Sequence, residues 1–283
     1  MVSANTLVKP FLKWAGGKRQ LIPSIITNHL PKDFNTQENT YFEPFIGGGA
    51  LLLALQPQKA VINDINTELI NCYQVIRDSV DELIKDLERH ENEKNYYYAI
   101  RDWDRGEDYK YKTPVERASR IIFLNKTCYN GLFRVNSLGQ FNVPFGKYKK
   151  PNIVDIAVLT SVSKYLDENQ VEILNVDFQE AVKNAKKGDF LYFDPPYDPV
   201  SDSASFTGYS LNGFSKIDQK RLKETVDELD RRGCKILLSN AYTQFIVELY
   251  SNYQQFKISA SRAINSNTLK RGKVDEILIK NYE

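Results

Sequence analysis

Asp194-Pro195-Pro196-Tyr197 closes a short apolar run, Phe190-Leu191-Tyr192-Phe193, and a polar loop follows. These residue types suit the holding of a planar base with an exocyclic amine. The Asp194 carboxylate can accept a hydrogen bond from the amine. Each proline fixes its own φ and lacks an N–H, so the turn offers carbonyl oxygens with few competing donors. The Tyr197 ring can stack on the base. The apolar run reads as a buried parallel strand with the turn at its C-terminal edge, where open α/β sheets bind ligands. A strand followed by an ordinary Pro-Pro turn accounts for the same residues, so the choice rests on what lies upstream.

Upstream, Tyr41-Phe42-Glu43-Pro44-Phe45 is a second strand-like run. Gly47-Gly48-Gly49 follows, then Ala50 to Leu55, a strong helix former, then Ala60-Val61-Ile62-Asn63 ending at Asp64. Strand, glycine loop, helix, strand, acid is the plan of a nucleotide-binding half-sheet. The glycines let backbone approach a ligand, and an acid at Asp64 can bind both hydroxyls of a ribose. Asp64 also suits a helix cap before Asn66 or Thr67. Asp177-Phe178 ends another strand, Val171 to Val176. There an acid can accept an adenine amine and a ring can pack on its face; a capping Asp and a core Phe fit equally well. Ala15-Gly16-Gly17-Lys18 is not a phosphate loop, because Leu12 and Arg19 occupy its first Gly and its Ser/Thr positions. Trp14 and Lys18 beside two glycines instead suit an aromatic face and a carboxylate. Together these groups are what an amino-acid nucleoside such as S-adenosylmethionine needs.

The elements that position these groups follow from periodicity. Leu69, Tyr73, Ile76, Val80, Leu83 and Leu87 predict one amphipathic helix over 67–90. Thr113-Pro114 with Glu116 predicts a helix start, with the helix running to about Lys126. Residues 128–152, with turn signals at Asn130-Gly131 and Leu138-Gly139, predict loops or hairpins. Ser215 with Asp218 caps a helix that Gly233 ends, and Lys235 to Ser239 is the next strand. Phe256 to Ser259 and Glu276 to Lys280 read as a final antiparallel pair. The expected fold is α/β: a Rossmann-like sheet with helices on both faces, formed by residues 1–73 and 155–283. A mostly helical insertion with a hairpin loop spans 74–154.

Composition narrows the classes. The chain has 283 residues, 42% hydrophobic and 26% charged, which describes a globular protein with a sizeable core. No apolar run approaches a membrane span, and Met1 to Pro10 lacks the apolar core of a signal peptide. Cys72, Cys128 and Cys234 are distant and odd in number, so a reducing cytoplasm is expected. With two histidines and no HxxxH or CxxC spacing, no metal is expected. Net charge is only +2, yet Lys110 to Lys150 holds nine Lys/Arg against the single acid Glu116. That asymmetry suits a face meeting phosphates as well as an ordinary solvated surface. Within it, Tyr129-Asn130-Gly131-Leu132-Phe133-Arg134 sets an aromatic, an apolar side chain and an Arg on one loop. Arg can read guanine, and an aromatic can wedge between base steps.

The segments FLKWAGGK at 11–18, FEPFIGGG at 42–49, Asn63-Asp64, YNGLFRVNSLGQFNVPFGKYKKP at 129–151 and DPPYDPVSDSASFTGY at 194–209 resemble the Dam DNA adenine methyltransferases, in the family's order and over nearly the whole chain. They are most similar to the Dam-like modification enzymes of GATC restriction–modification systems. One departure is Val135, where some members carry an aromatic. The resemblance implies methyl transfer from S-adenosylmethionine to N6 of a flipped-out adenine in double-stranded DNA. It implies cofactor contacts from Trp14, Lys18, Glu43, Pro44, Gly47, Gly49, Asp64, Asp177, Phe178 and Asp194. Lys13 and Arg134 are implied to read guanines of GATC, Tyr129 to insert into the stack, and Asn130, Leu132, Pro144 and Lys147 to contact DNA nearby. Phe206 and Tyr209 are implied to lie on a loop ordered around the target adenine. A cognate restriction endonuclease is implied as a functional, not physical, partner. The alternative is a DPPY-type N-methyltransferase acting on an RNA base or a protein amide.

Overall fold

The computed structural model describes residues 5–14, 21–199, 213–261 and 273–283. In chain order its elements are α1 Ile22–Asn28, β1 Tyr41–Glu43, α2 Ala50–Leu55, β2 Lys59–Asn63, α3 Thr67–Asp78, α4 Val80–Leu87, α5 Lys94–Arg101, α6 Pro114–Thr127, α7 Ile156–Glu168, β3 Gln170–Leu174, α8 Phe178–Ala181, β4 Phe190–Phe193, α9 Lys216–Arg231, β5 Lys235–Ala241, α10 Gln244–Leu249, β6 Gln254–Ser261 and β7 Lys273–Lys280. The strands form one seven-stranded sheet in the order β3-β2-β1-β4-β5-β7-β6. β7 is antiparallel to both neighbours, and the other pairs are parallel. This is the Rossmann-like methyltransferase sheet that the sequence predicts. The chain runs outward one way from β1 to β3 and the other way from β4, so the switch point, where open sheets of this kind form their ligand crevice, lies between β1 and β4.

Strand alternation explains why both faces are covered. Phe190 and Tyr192 enter one core with Leu52 of α2, Ile76 of α3 and Val162 of α7. Leu191 and Phe193 enter the opposite core with Leu222 and Val226 of α9 and Ile246 of α10. β4 is buried at all four positions. Its unbroken apolar run therefore reflects burial on two sides.

The single helix expected over 67–90 is two helices. Ser79 leaves the helical region at φ −149° and ψ 42°, and α4 restarts with Asp81 and Glu82 in its first turn. Acids there complement the N-terminal end of the helix dipole, so the break costs little. α6 begins as predicted, with a capping box between Thr113 and Glu116. Leu83, Leu87, Tyr97 and Phe123, from residues 74–154, share one core with Ile62 of the sheet, and α3 runs across position 73.

Much of the basic run serves the fold. Arg120 is buried and donates to the Ile100 and Arg101 carbonyls at 2.9 and 2.5 Å, while pairing with Asp104 at 2.7 Å. Arg117 pairs with Glu68, and Lys112 with Glu116. Arg134, Lys147, Lys149 and Lys150 are the exposed cations of the run's second half. Among the described residues, no helix is long and apolar enough to cross a membrane.

Candidate active site

A row of acids lines the C-terminal ends of four adjacent strands: Asp177 after β3, Asp64 after β2, Glu43 at the end of β1 and Asp194 after β4. Asn63 ties this edge together. Its Nδ2 donates to the Pro44 and Val176 carbonyls at 3.0 and 3.1 Å, and its Oδ1 accepts from Val176 N at 2.9 Å. The strand ends are thereby held in register on the crevice side.

At the turn after β4, Asp194 Oδ1 accepts from Ser239 Oγ at 2.7 Å, which orients the carboxylate. Gln219, buried on α9, donates to the Pro196 carbonyl at 3.0 Å and accepts from Asn240 Nδ2 at 3.1 Å. Asn240 Oδ1 in turn accepts from Asp198 N at 3.0 Å. Among the described residues no hydrogen bond is donated to the Pro195 carbonyl, which follows the Asp194 carboxylate in the turn. Tyr197 Oη donates to Glu276 Oε2 of β7 at 3.0 Å, which pins the far end of the ring. Burial, with Asp194 and Glu276 nearby, raises the Tyr197 hydroxyl well above its ordinary pKa and keeps it a donor.

The glycine loop is tight because side chains already fill its surroundings. A Cβ on Gly47, at φ +47°, would stand 2.8 Å from Trp14 Cδ1. A Cβ on Gly49, at φ +65°, would stand 2.6 Å from Tyr73 Oη. Tyr73 Oη donates to the Gly47 carbonyl at 3.0 Å. Asp64 braces the same loop, with Oδ2 accepting from Gly47 N at 3.1 Å and Oδ1 from Asn66 N at 3.0 Å. Both of its oxygens keep lone pairs for a further donor, and burial raises its pKa. Glu43 is buried and accepts from Tyr41 Oη at 2.7 Å and Leu52 N at 3.1 Å. Burial, reinforced by the charge of Asp194, pushes its carboxyl up to about 8.

At Asp177-Phe178 the capping reading is realised. Asp177 caps α8 by accepting from Gln179 N at 3.0 Å, and Arg221 Nη2 donates to both its oxygens at 3.1 and 3.2 Å. Phe178 is buried, with Phe45 and Phe214 at centroid distances of 5.4 and 6.1 Å.

The segment ending at Trp14 meets the loop at 129–134. Trp14 stacks on Phe133 with centroids 4.8 Å apart. Lys13 Nζ lies 5.2 Å above the Tyr148 ring. Tyr129 N donates to the Pro144 carbonyl at 2.8 Å, and Gly146 N to the Thr127 carbonyl at 2.8 Å. These bonds set exposed Tyr129 beside exposed Pro144. Asn130 and Lys147 take positive φ of 57° and 56° on the same pair of turns. Leu132 packs partly buried against the core. Arg134 Nε donates to Asn142 Oδ1 at 2.7 Å, and the Val135–Phe141 bridge closes a hairpin with Leu138 exposed at its tip. Lys18, Phe206 and Tyr209 lie outside the described residues.

Ser239, Asn240, Gln219, Glu276 and Asn125 are absent from the sequence-predicted site. Ser239-Asn240 carried a legible signal, a polar pair ending an apolar strand like Asn63-Asp64. Asn125, inside α6, carried none.

Comparison with known proteins agrees with this geometry. A family model described as D12 class N6 adenine-specific DNA methyltransferase matches residues 14–264. The type II methyltransferase M1.LlaDCHI of Lactococcus lactis subsp. cremoris is 47% identical over 277 residues, covering 97% of this chain and 96% of its own. The type II methyltransferase M.MjaIII of Methanocaldococcus jannaschii is 43% identical over 291 residues, covering 97% and 99%. The DNA adenine methylase of Escherichia coli K12 is 34% identical over 274 residues, covering 95% and 94%. With matches that span nearly its whole length and the DPPY turn at the end of β4, the chain belongs to the D12 class N6 adenine-specific DNA methyltransferases.

Proposed function

We propose that this methyltransferase takes its methyl group from S-adenosylmethionine and places it on an adenine of GATC, swung out of double-stranded DNA. The acceptor pair at the turn carries this reading: Asp194, oriented by Ser239, beside the Pro195 carbonyl. Adenine N6 has two N–H bonds and a lone pair delocalised into the ring. Two acceptors in fixed positions engage both hydrogens and turn that lone pair towards the methyl donor. Tyr197, its hydroxyl pinned on Glu276, offers its ring as the stacking face. The target nitrogen is inaccessible inside the base stack, so the base must leave the helix to reach this turn. Asp194 need not remove a proton before transfer: the C–S bond would break as the N6–C bond forms, the donor would leave as the neutral thioether S-adenosylhomocysteine, and the cationic N6 would then release one proton to the Asp194 carboxylate and on to solvent.

The glycine loop supports the cofactor assignment, because a Cβ on Gly47 or Gly49 would fill the cradle with contacts to Trp14 or Tyr73. When bound, S-adenosylmethionine supplies an electrophilic methyl on a sulfonium. Asp64 would hold the ribose hydroxyls, and Glu43 would face the cationic methionine end. Asp177 would share its carboxylate between Arg221 and the adenine amine, with Phe178 packing below. Trp14, Pro44 and Lys18 complete the assignment. Positioning the donor in line with N6 is the main work left to the protein.

Residues 1–73 and 155–283 form the catalytic part in this reading, and 74–154 the target-recognition part. Lys13 and Arg134 read guanines, Tyr129 enters the stack, and Asn130, Leu132, Pro144 and Lys147 contact the DNA nearby. Phe206 and Tyr209, outside the described residues, are assigned to the target-base loop. The similarity to type II methyltransferases supports a modification role opposite a cognate endonuclease.

The test is labelled methyl transfer to paired duplexes, one with GATC and one with the site scrambled, followed by digestion to nucleosides. Label in N6-methyladenine only with GATC is expected. Label on both duplexes would undo the roles of Lys13 and Arg134. Label on neither, with cofactor bound, would move the substrate to an RNA base or a protein amide.

A further inference from the structure

Asn125 is fully buried inside α6, and its side chain is the meeting point of two distant segments. Oδ1 accepts from Lys13 N at 2.8 Å, and Nδ2 donates to the Lys13 carbonyl at 2.8 Å. Nδ2 also donates to the Gly131 carbonyl at 3.1 Å. One amide thus grips the backbone of Lys13 on both sides and the recognition loop with its remaining hydrogen. Asn supplies this combination of one acceptor and two donors; Asp would lose both donors, and Leu all three bonds. The contact continues through side chains. Gly131 sits at φ +63°, and a Cβ there would run into Cδ of Lys13, so the lysine stem lies directly on the loop backbone. The next residue, Trp14, touches the glycine loop on one side and stacks on Phe133 on the other.

We propose that Asn125 is a positioning residue that locks the cofactor segment and the DNA-recognition loop into one frame, so that cofactor and cognate DNA each tighten binding of the other. The inference rests on the DNA-reading role given above to Lys13 and Arg134. Its physical basis is linkage: a ligand that orders the shared frame spares the second ligand that cost. A merely structural Asn125 would affect stability and leave the coupling intact.

The test compares wild type with Asn125→Leu and, as a second disruption of the same contact, Gly131→Ala. Two quantities are read at the same temperature, well below each protein's unfolding midpoint. The first is the affinity for S-adenosylhomocysteine with and without saturating cognate duplex. The second is kcat/KM on the cognate duplex relative to duplexes with one base pair of the site changed. In wild type, cognate DNA should raise S-adenosylhomocysteine affinity by about tenfold. Both variants should bring that factor to within about twofold of unity and lower discrimination by about tenfold or more. Where Asn125→Leu does not fold, Gly131→Ala decides alone. A folded variant that keeps both the coupling and the discrimination overturns the inference. So does a wild type that discriminates between duplexes while its S-adenosylhomocysteine affinity is indifferent to DNA. A wild type without discrimination overturns the reading of Lys13 and Arg134, and the inference with it.

Discussion

Ser239 Oγ, near the end of β5, donates to Asp194 Oδ1 at the end of β4 across 2.7 Å. The same hydroxyl lies 3.2 Å from Tyr192 Oη. Ser239 therefore fixes which way the Asp194 carboxylate, proposed above to hold the target amine, faces. Ser239→Ala should lower kcat by about tenfold, the equivalent of ~1.4 kcal/mol, because one oriented hydrogen bond to a charged group is lost. KM for DNA should change little. Steady-state kinetics on a cognate duplex would check the split, and an unchanged kcat would remove Ser239 from the site.

Glu43 makes stability depend on pH. Its carboxyl rises from the ordinary 4.5 to about 8 because it is buried. Between those values the folded protein keeps a proton that the unfolded chain has released. Stability therefore falls as pH rises through this window, by at most about 1.4 kcal/mol per pH unit from this group. Below 4.5 both states are protonated, and above 8 both are ionised, so the slope from Glu43 vanishes there. Glu43→Gln keeps an acceptor for Tyr41 but cannot ionise. Its unfolding midpoint should gain on wild type from pH 5 to pH 8; melting curves that stay parallel across that range would contradict this.

Gly49→Ala tests the cradle. The new Cβ would stand 2.6 Å from Tyr73 Oη, on a residue at φ +65°. A left-handed Ala alone costs about 1–2 kcal/mol. Displacing Tyr73 also breaks its 3.0 Å bond to the Gly47 carbonyl. KM for the cofactor should rise roughly tenfold, with a smaller change in kcat. Adding Tyr73→Phe removes the clashing atom, so the double variant should lose less than the sum of the two single losses.

Arg134 and Lys147 should fail differently. Arg134→Ala should cost about 1–3 kcal/mol on the cognate duplex and relax the preference at one base pair. Lys147→Ala should weaken binding to all duplexes alike and reduce the salt slope by about one. Binding titrations on cognate and altered duplexes at several salt concentrations separate the two. The same loss on every sequence for both would show that Arg134 contacts phosphate.

The strand ends of this fold were legible because each places a polar residue directly after an apolar run: Asp194 after Phe190–Phe193, Asn63-Asp64 after Ala60–Ile62. Ser239-Asn240 obeys the same rule, but it looks like an ordinary strand exit until the fold sets β5 beside β4. α7 was missed although Asp155 caps it and Val158, Leu159, Val162, Tyr165 and Leu166 recur at helical steps. The break at Ser79 was hidden because the apolar spacing continues through it, from Ile76 to Leu83.

Other features depend on distance in the chain. Asn125 grips Lys13 across 112 residues, and nothing near Asn125 in sequence announces that contact. Arg120 counts towards a basic run in sequence yet is buried among carbonyls of α5. Charge counting cannot tell a cation that meets solvent from one that braces a helix. Asp177 shows the opposite limit: the local sequence admitted a cap and a ligand contact, and the cap it forms leaves the carboxylate exposed.

The turn after β4 has a consequence for what leaves the pocket. Pro195 and Pro196 have no N–H, Gln219 already occupies the Pro196 carbonyl, and in the proposed reading the base amine meets the Asp194 carboxylate and the Pro195 carbonyl. Such a turn counts hydrogens. In the proposed reading a keto oxygen would bring none and be rejected, whereas an unmodified amine would bring two. Once methylated, the proposed product has one, so an acceptor is stranded at a cost of about 1–3 kcal/mol. The methylated base is thus a poorer occupant than the one that entered, which favours its departure and opposes a second methylation of the same nitrogen.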